Sequence, residues 1–219
     1  MIVGGGISGA SLARFLAEHG IRSVLHEDSA LLGGMCRETI WNGHLVPELG
    51  PHLFRTSSDA IWTFFARFGE IVEAPHAVAT FVDGEAVPFP PLAADRPVLP
   101  QSSHGSIGDY LVSTLGKEVF YRYYEPYTVK RWGVSAFELS TDMIPLIPVF
   151  RYPKGFFSET RVGIPSNGYS RVIENMLDHK LIAVHLRSSV RVSDFSPGHP
   201  VVWTGRVDKI ASNPSLDCH

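Results

Sequence analysis

Gly4, Gly6 and Gly9 stand in the spacing G-x-G-x-x-G within Gly4-Gly5-Gly6-Ile7-Ser8-Gly9, directly after the apolar Met1-Ile2-Val3. Each glycine answers a separate demand of a bound pyrophosphate: a tight turn at Gly4, close backbone approach at Gly6 and close helix packing at Gly9. Ser8 falls in the first turn of the helix that follows. There, free backbone N–H groups and the helix dipole stabilise phosphate charge. Glu27, about 20 residues further on, suits the hydroxyls of a ribose. Metal and disulfide chemistry find no comparable pattern. The ten histidines form no His-Glu-x-x-His, and Cys36 and Cys218 lie at opposite ends of the chain, so no metal is expected.

The elements that must position these groups follow from periodicity. Leu12, Phe15 and Leu16 recur at helical spacing, Gly20 offers a left-handed stop, and residues 22–26 read as a strand that delivers Glu27. Ser57 or Ser58 caps a second helix with Ile61, Phe64, Phe65 and Phe68 on one face, closed by Gly69. Residues 76–89 read as a hairpin with a type I′ turn at Asp83-Gly84. Pro88, Pro90, Pro91, Pro97 and Pro100 then break regular structure as far as Ser103. From Ser106 a helical stretch runs through Ile107, Tyr110, Leu111, Leu115, Val119 and Phe120, and Val172, Ile173, Met176 and Leu177 mark a later helix. The expected fold is α/β, a Rossmann-like parallel sheet with a mostly helical substrate region. Its parts are a nucleotide-binding part with hairpin over 1–103, a helical region over 104–180, return strands over 181–210 and a polar tail over 211–219. A hydrophobic content of 44% supplies a core for 219 residues. A net charge of −3, with scattered basic residues, excludes nucleic acid and anionic membranes as expected partners. No apolar run approaches a membrane span, and a cytoplasmic location is expected.

Leu31-Leu32-Gly33-Gly34 resembles the second phosphate-approach turn of the flavoproteins that include amine oxidases and phytoene desaturases, which implies FAD rather than NAD. Four further strings follow in order: Gly50-Pro51-His52-Leu53-Phe54-Arg55-Thr56, Tyr127-Thr128-Val129-Lys130-Arg131-Trp132-Gly133, Phe156-Phe157 with Gly163-Ile164-Pro165-Ser166-Asn167-Gly168-Tyr169, and Val201 to Asp208. Together they resemble UDP-galactopyranose mutase, which interconverts UDP-galactopyranose and UDP-galactofuranose. The resemblance implies reduced FAD, whose N5 forms a sugar adduct, and a UDP-sugar substrate. It implies Gly50 and His52 beside the isoalloxazine, with His52 the catalytic flavin neighbour. Tyr127 and Trp132 would pack against the uridine and sugar, Phe156 would lie near the nucleotide with Phe157 as a further substrate-binding residue, and family members often self-associate.

The chain also departs from that pattern. A lid arginine that clamps the diphosphate in the family falls at Leu146, for which Arg151 or Arg161 could substitute. Ser29 and Met35 replace an arginine and an asparagine near the glycine pair, with Arg37 as a substitute. Lys130 and Arg131 either touch phosphate or are solvated. The family continues beyond the point at which the resemblance stops, near Asp208. Two other readings stay open: an FAD-dependent oxidoreductase of the amine-oxidase or desaturase type, and a truncated, inactive homologue.

Overall fold

The computed structural model describes residues 1–74, 77–90, 105–149, 157–195 and 198–211. In chain order the elements are β1 (Ile2–Val3), α1 (Ile7–Glu18), β2 (Ser23–His26), β3 (Glu38–Trp41), β4 (His44–Pro47), β5 (Phe54–Thr56), α2 (Asp59–Ala66) and β6 (Ile71–Glu73). They continue with β7 (Val78–Val82), β8 (Glu85–Phe89), α3 (Ile107–Leu115), α4 (Lys117–Val119), α5 (Glu125–Trp132), β9 (Arg161–Pro165), α6 (Tyr169–Leu177), β10 (Ile182–His185), β11 (Val202–Trp203) and α7 (Asp208–Ala211). Two compact units result, Met1–Ala74 with Arg161–His219, and Pro75–Thr160. Among the described residues no helix is long and apolar enough to cross a membrane.

In the first unit, four strands form a parallel sheet in the order β10-β2-β1-β11, with Ile2 opposite both Leu25 and Val202. This is the α/β arrangement expected. Its core joins Ile2, Leu25, Phe65, Val172, Ile173 and Met176. Each such side chain contributes about 1.5–3 kcal/mol on burial. The buried face of α1 is Gly9, Ala10, Ala13 and Ala17, which lets the helix lie close to its neighbours. Phe15, read as part of the apolar stripe, is instead 53% exposed. Ser58 is the cap of α2 and accepts from the Ile61 N–H at 3.4 Å. Trp62 is buried on that helix while Ile61 points outward, a one-residue rotation of the expected face.

Arg161–Pro165 forms the strand β9, and a turn at Ser166 and Asn167, closed by the Gly168 N–H donating to the Pro165 carbonyl at 3.1 Å, leads into α6. β9 is the centre of an antiparallel sheet, β5-β9-β6. A Cβ on Gly163 would come within 2.7 Å of the Val72 carbonyl oxygen, so the glycine serves close strand packing. α6 follows, and since Gly168 has no side chain to cap it, Glu38 does so from β3. The carboxylate accepts from the N–H groups of Tyr169 at 2.7 Å and Ser170 at 3.1 Å, and from the Ser170 hydroxyl at 2.9 Å. β3 and β4 form a hairpin through Asn42 and Gly43, both at positive φ.

In the second unit, β7 and β8 pair through Asp83 (φ 54°) and Gly84 (φ 86°), the expected type I′ turn. Although grouped above with the nucleotide part, this hairpin contributes Phe89 and Val78 to the core of the helical unit, beside Ile107, Tyr110, Leu111, Phe120 and Tyr124. Ser106 caps α3 and accepts from the Asp109 N–H at 3.1 Å. The helical stretch is not continuous: Gly116, at φ 80° and ψ 158°, ends α3. After α4 the chain widens into a π turn over Phe120–Tyr124 before α5, which Gly133 closes in the left-handed conformation. The Tyr124 side chain is fully buried, and its hydroxyl donates to the Val149 carbonyl at 2.8 Å. The boundary drawn at 103/104 lies outside the described residues.

Candidate functional site

A cleft of about 360 Å³ in the first unit is lined by Gly4, Gly5, Gly6, Ser8, Glu27, Gly33 and Gly34 among others. The sequence read these residues, except Gly5, as the dinucleotide cradle, and the fold brings them together. Gly4 takes φ +113°, and a Cβ there would lie 2.6 Å from the Thr204 hydroxyl. A Cβ on Gly9 would lie 2.0 Å from the Gly4 carbonyl oxygen, so the start of α1 is seated directly against the turn. α1 has no side-chain cap and no acidic residue in its first turn. Its leading N–H groups and positive dipole end therefore remain available to an anion.

The second glycine turn is pressed onto the first. The Gly33 N–H, at φ +123°, donates to the Gly5 carbonyl at 3.0 Å, and a Cβ on Gly34 would stand 3.1 Å from the Gly6 Cα. Glu27 ties the two turns to β2. Its carboxylate is buried and accepts from the Gly5 N–H at 2.6 Å and the Ser29 N–H at 2.9 Å. The carboxylate thus braces the loop as well as facing the cleft, a role that spacing alone does not reveal. Lys209 approaches Asp28 at 2.7 Å, and its ammonium is the first cause holding that carboxyl below the usual range.

Gly50 takes φ +96° in open space, so there glycine answers backbone conformation rather than crowding. His52 is half-buried. Its carbonyl accepts from the Tyr169 hydroxyl at 3.1 Å, while its buried Nε2 has no partner among the described residues. A buried polar atom left unmade costs about 1–3 kcal/mol. The Tyr169 hydroxyl is pushed above the usual phenol range, mainly by burial and further by Cys36 and Glu38. Arg37 pairs with Glu48 at 2.7 Å and does not line the cleft. Arg161 lies over the Trp62 ring at 4.4 Å, with Asp59 at 3.5 Å and Glu73 at 3.7 Å. Both proposed substitutes are thus already engaged, and Arg151 lies outside the described residues.

The second unit holds a cleft of about 400 Å³ between the β7–β8 hairpin and the helical segment, lined by Thr80, Phe89, Tyr123, Tyr127 and Lys130 among others. Tyr127 and Trp132 stand edge to face, with ring centroids 6.1 Å apart at 82°. Arg131 joins them: its Nη1 donates to the Tyr127 hydroxyl at 2.7 Å and to the Leu146 carbonyl at 3.0 Å. Its guanidinium lies 4.6 Å from the centre of the Trp132 ring. Arg131 is therefore ordered, where the sequence left it between phosphate contact and solvation; the i, i+4 spacing to Tyr127 was the available signal. Phe157 is half-buried, and Phe156 lies outside the described residues.

Residues 122–215 match the family model of UDP-galactopyranose mutase, and residues 2–68 match that of an NAD(P)-binding Rossmann-like domain. By sequence the chain is similar to UDP-galactopyranose mutases over most of its length. A protein of Klebsiella pneumoniae described as a probable UDP-galactopyranose mutase is 27% identical, with 97% of this chain and 61% of that protein covered. The dTDP-fucopyranose mutase of Escherichia coli is 25% identical over 95% of this chain and 63% of its own length. The chain thus spans about three fifths of the length of these curated relatives. A crystal structure of reduced UDP-galactopyranose mutase superposes with a TM-score of 0.60 at 15% identity, covering 84% of this chain and 48% of that one. An oxidoreductase from Methanosarcina mazei gives 0.56 at 13%, over 85% and 50%. At such identities the structural likeness bears on fold alone.

Proposed function

We propose that the chain acts as a flavin-dependent UDP-galactopyranose mutase, interconverting the pyranose and furanose forms of a UDP-bound galactose without net redox change. The observation that carries this reading is the Tyr127–Trp132 corner, set on α5 within the stretch that matches the mutase family model. Two flat rings at a right angle offer one face to a pyrimidine and another to the C–H bonds of a sugar.

The glycine cleft fits FAD in its close-packed turns, where Gly4, Gly33 and Gly34 have no room for a side chain, and His52, outside the residues that line this cleft, offers an unpaired ring nitrogen. Gly4, Gly6, Ser8 and Gly9 would hold the pyrophosphate at the α1 N-terminus, Glu27 the ribose, and Gly33 and Gly34 the approach of the second turn. Gly50 and His52 would meet the flavin, the imidazole giving its Nε2 a partner and tuning the ring electronics. Reduced FAD, when bound, supplies the nucleophile for the anomeric carbon, its N5. The chain's own contribution is to orient the sugar, exclude water and stabilise the departing UDP. Tyr127 and Trp132 would do the first with Phe156 and Phe157.

Anaerobic assay with UDP-galactofuranose tests this. Protein reduced with dithionite is expected to form UDP-galactopyranose, and oxidised protein is not. Turnover that consumes oxygen or another acceptor would refute the mutase reading in favour of an oxidoreductase. A chain that stays colourless after incubation with FAD would refute it in favour of an inactive homologue.

A further inference from the structure

We infer that Arg131 binds the diphosphate of the nucleotide sugar through the Nε–Nη2 edge of its guanidinium, an inference that rests on the UDP-sugar reading of the adjoining aromatic pair. Arg131 is exposed, yet its head group is fixed from three sides: the Trp132 face at 4.6 Å, the Tyr127 hydroxyl at 2.7 Å and the Leu146 carbonyl at 3.0 Å. Both hydrogen bonds leave from Nη1. A guanidinium has five N–H donors, and the edge formed by Nε and Nη2 takes an anion through two parallel bonds. Among the described residues that edge carries no bond.

Charge points the same way. Arg122 of the same unit is compensated by Asp83 at 2.7 Å, whereas the acceptors of Arg131 are a phenol and an amide carbonyl, both neutral. The Leu146 side chain brings no charge of its own. The positive charge therefore stays uncompensated beside two aromatic rings, and the ligand chemistry that matches is an anion covalently joined to a flat or ring-shaped group. A nucleoside diphosphate has both. Since the ring contacts already hold the side chain, less rotamer freedom is lost on binding than for a free surface arginine.

Isothermal titration of the full chain, loaded with its flavin, with UDP and separately with uridine decides the matter. Arg131→Gln is expected to weaken UDP about tenfold or more, the scale of one charge-assisted anion contact, while leaving uridine within about twofold. Arg131→Lys should fall between, since it keeps the charge and loses the fork. Lys117→Gln, at an exposed position on α4, should leave both ligands unchanged. UDP affinity unaltered in Arg131→Gln overturns the inference and leaves the mutase reading standing. A parallel loss of UDP and uridine overturns it too, since the arginine would then only support the rings. A wild-type chain that binds no UDP removes the inference and the substrate reading together.

Discussion

Replacing Gly9 with alanine probes the seat of the nucleotide site most directly. The added Cβ would sit 2.0 Å from the Gly4 carbonyl oxygen and 3.1 Å from the Thr204 hydroxyl. Cβ contacts under 3.0 Å are essentially never observed, so α1 and the Gly4 turn must part by about 1 Å. The obstacle on the nearer side is backbone, which no rotamer change relieves. Overpacking of this kind costs about 1–3 kcal/mol or more. For a chain of this size, each kcal/mol lowers the melting temperature by about 2–4 °C. A fall of about 2–12 °C is expected by differential scanning fluorimetry and, on the proposed function, a loss of flavin binding, because the leading N–H groups of α1 move with the helix. Gly20→Ala is the control. It meets open space and costs only the strain of φ +77°, about 1 kcal/mol, with flavin retained. A Gly9→Ala protein that melts with wild type and keeps stoichiometric flavin would refute the packing argument.

Two further outcomes are expected. Glu38→Gln removes the carboxylate that caps α6 through Tyr169 and Ser170 and should cost about 1–2 kcal/mol, read as a lowered midpoint in urea unfolding. His26 is held below its ordinary value of 6.5, first by burial and then by repulsion from His185, whose ring stacks on it at 5.2 Å. A depressed folded-state value means that its contribution is complete above the ordinary histidine pKa and is lost as pH falls through the lowered one. Stability measured from pH 7 downward should therefore decline below about 6.5, and His26→Asn should flatten that decline.

Much of the nucleotide half was legible because its constraints are local. Gly4 takes a positive φ and Gly9 packs against the Gly4 carbonyl, both within one turn, and Asp83-Gly84 supplies the positive φ its hairpin needs. Asn42-Gly43 carried the same information, and the β3–β4 hairpin could have been found from it. What escaped depends on partners distant in sequence. The strand at Arg161–Pro165 is defined only once β5 and β6 close on either side of it. Glu38 caps a helix whose first residue lies 131 positions away. The one-step rotation from Ile61 to Trp62 follows from Trp62 packing on Phe54, another strand's residue. At the candidate site the residue types were readable, but the ring angle of Tyr127 and Trp132 and the use of Arg131 required three dimensions.

The pairing of β1 with β11, residue 2 beside residue 202, bears on how the polypeptide acquires its shape. During synthesis the opening strand leaves the ribosome long before its neighbour is made, and one edge of the parallel sheet stays unpaired while nearly two hundred residues are added. Contacts of such sequence separation form slowly, because loop closure must precede any gain from them. Exposed sheet edges at that stage invite association between nascent chains. Productive maturation of this molecule is thus expected to wait on residue 203, with chaperone dependence concentrated on the interval before that residue becomes available.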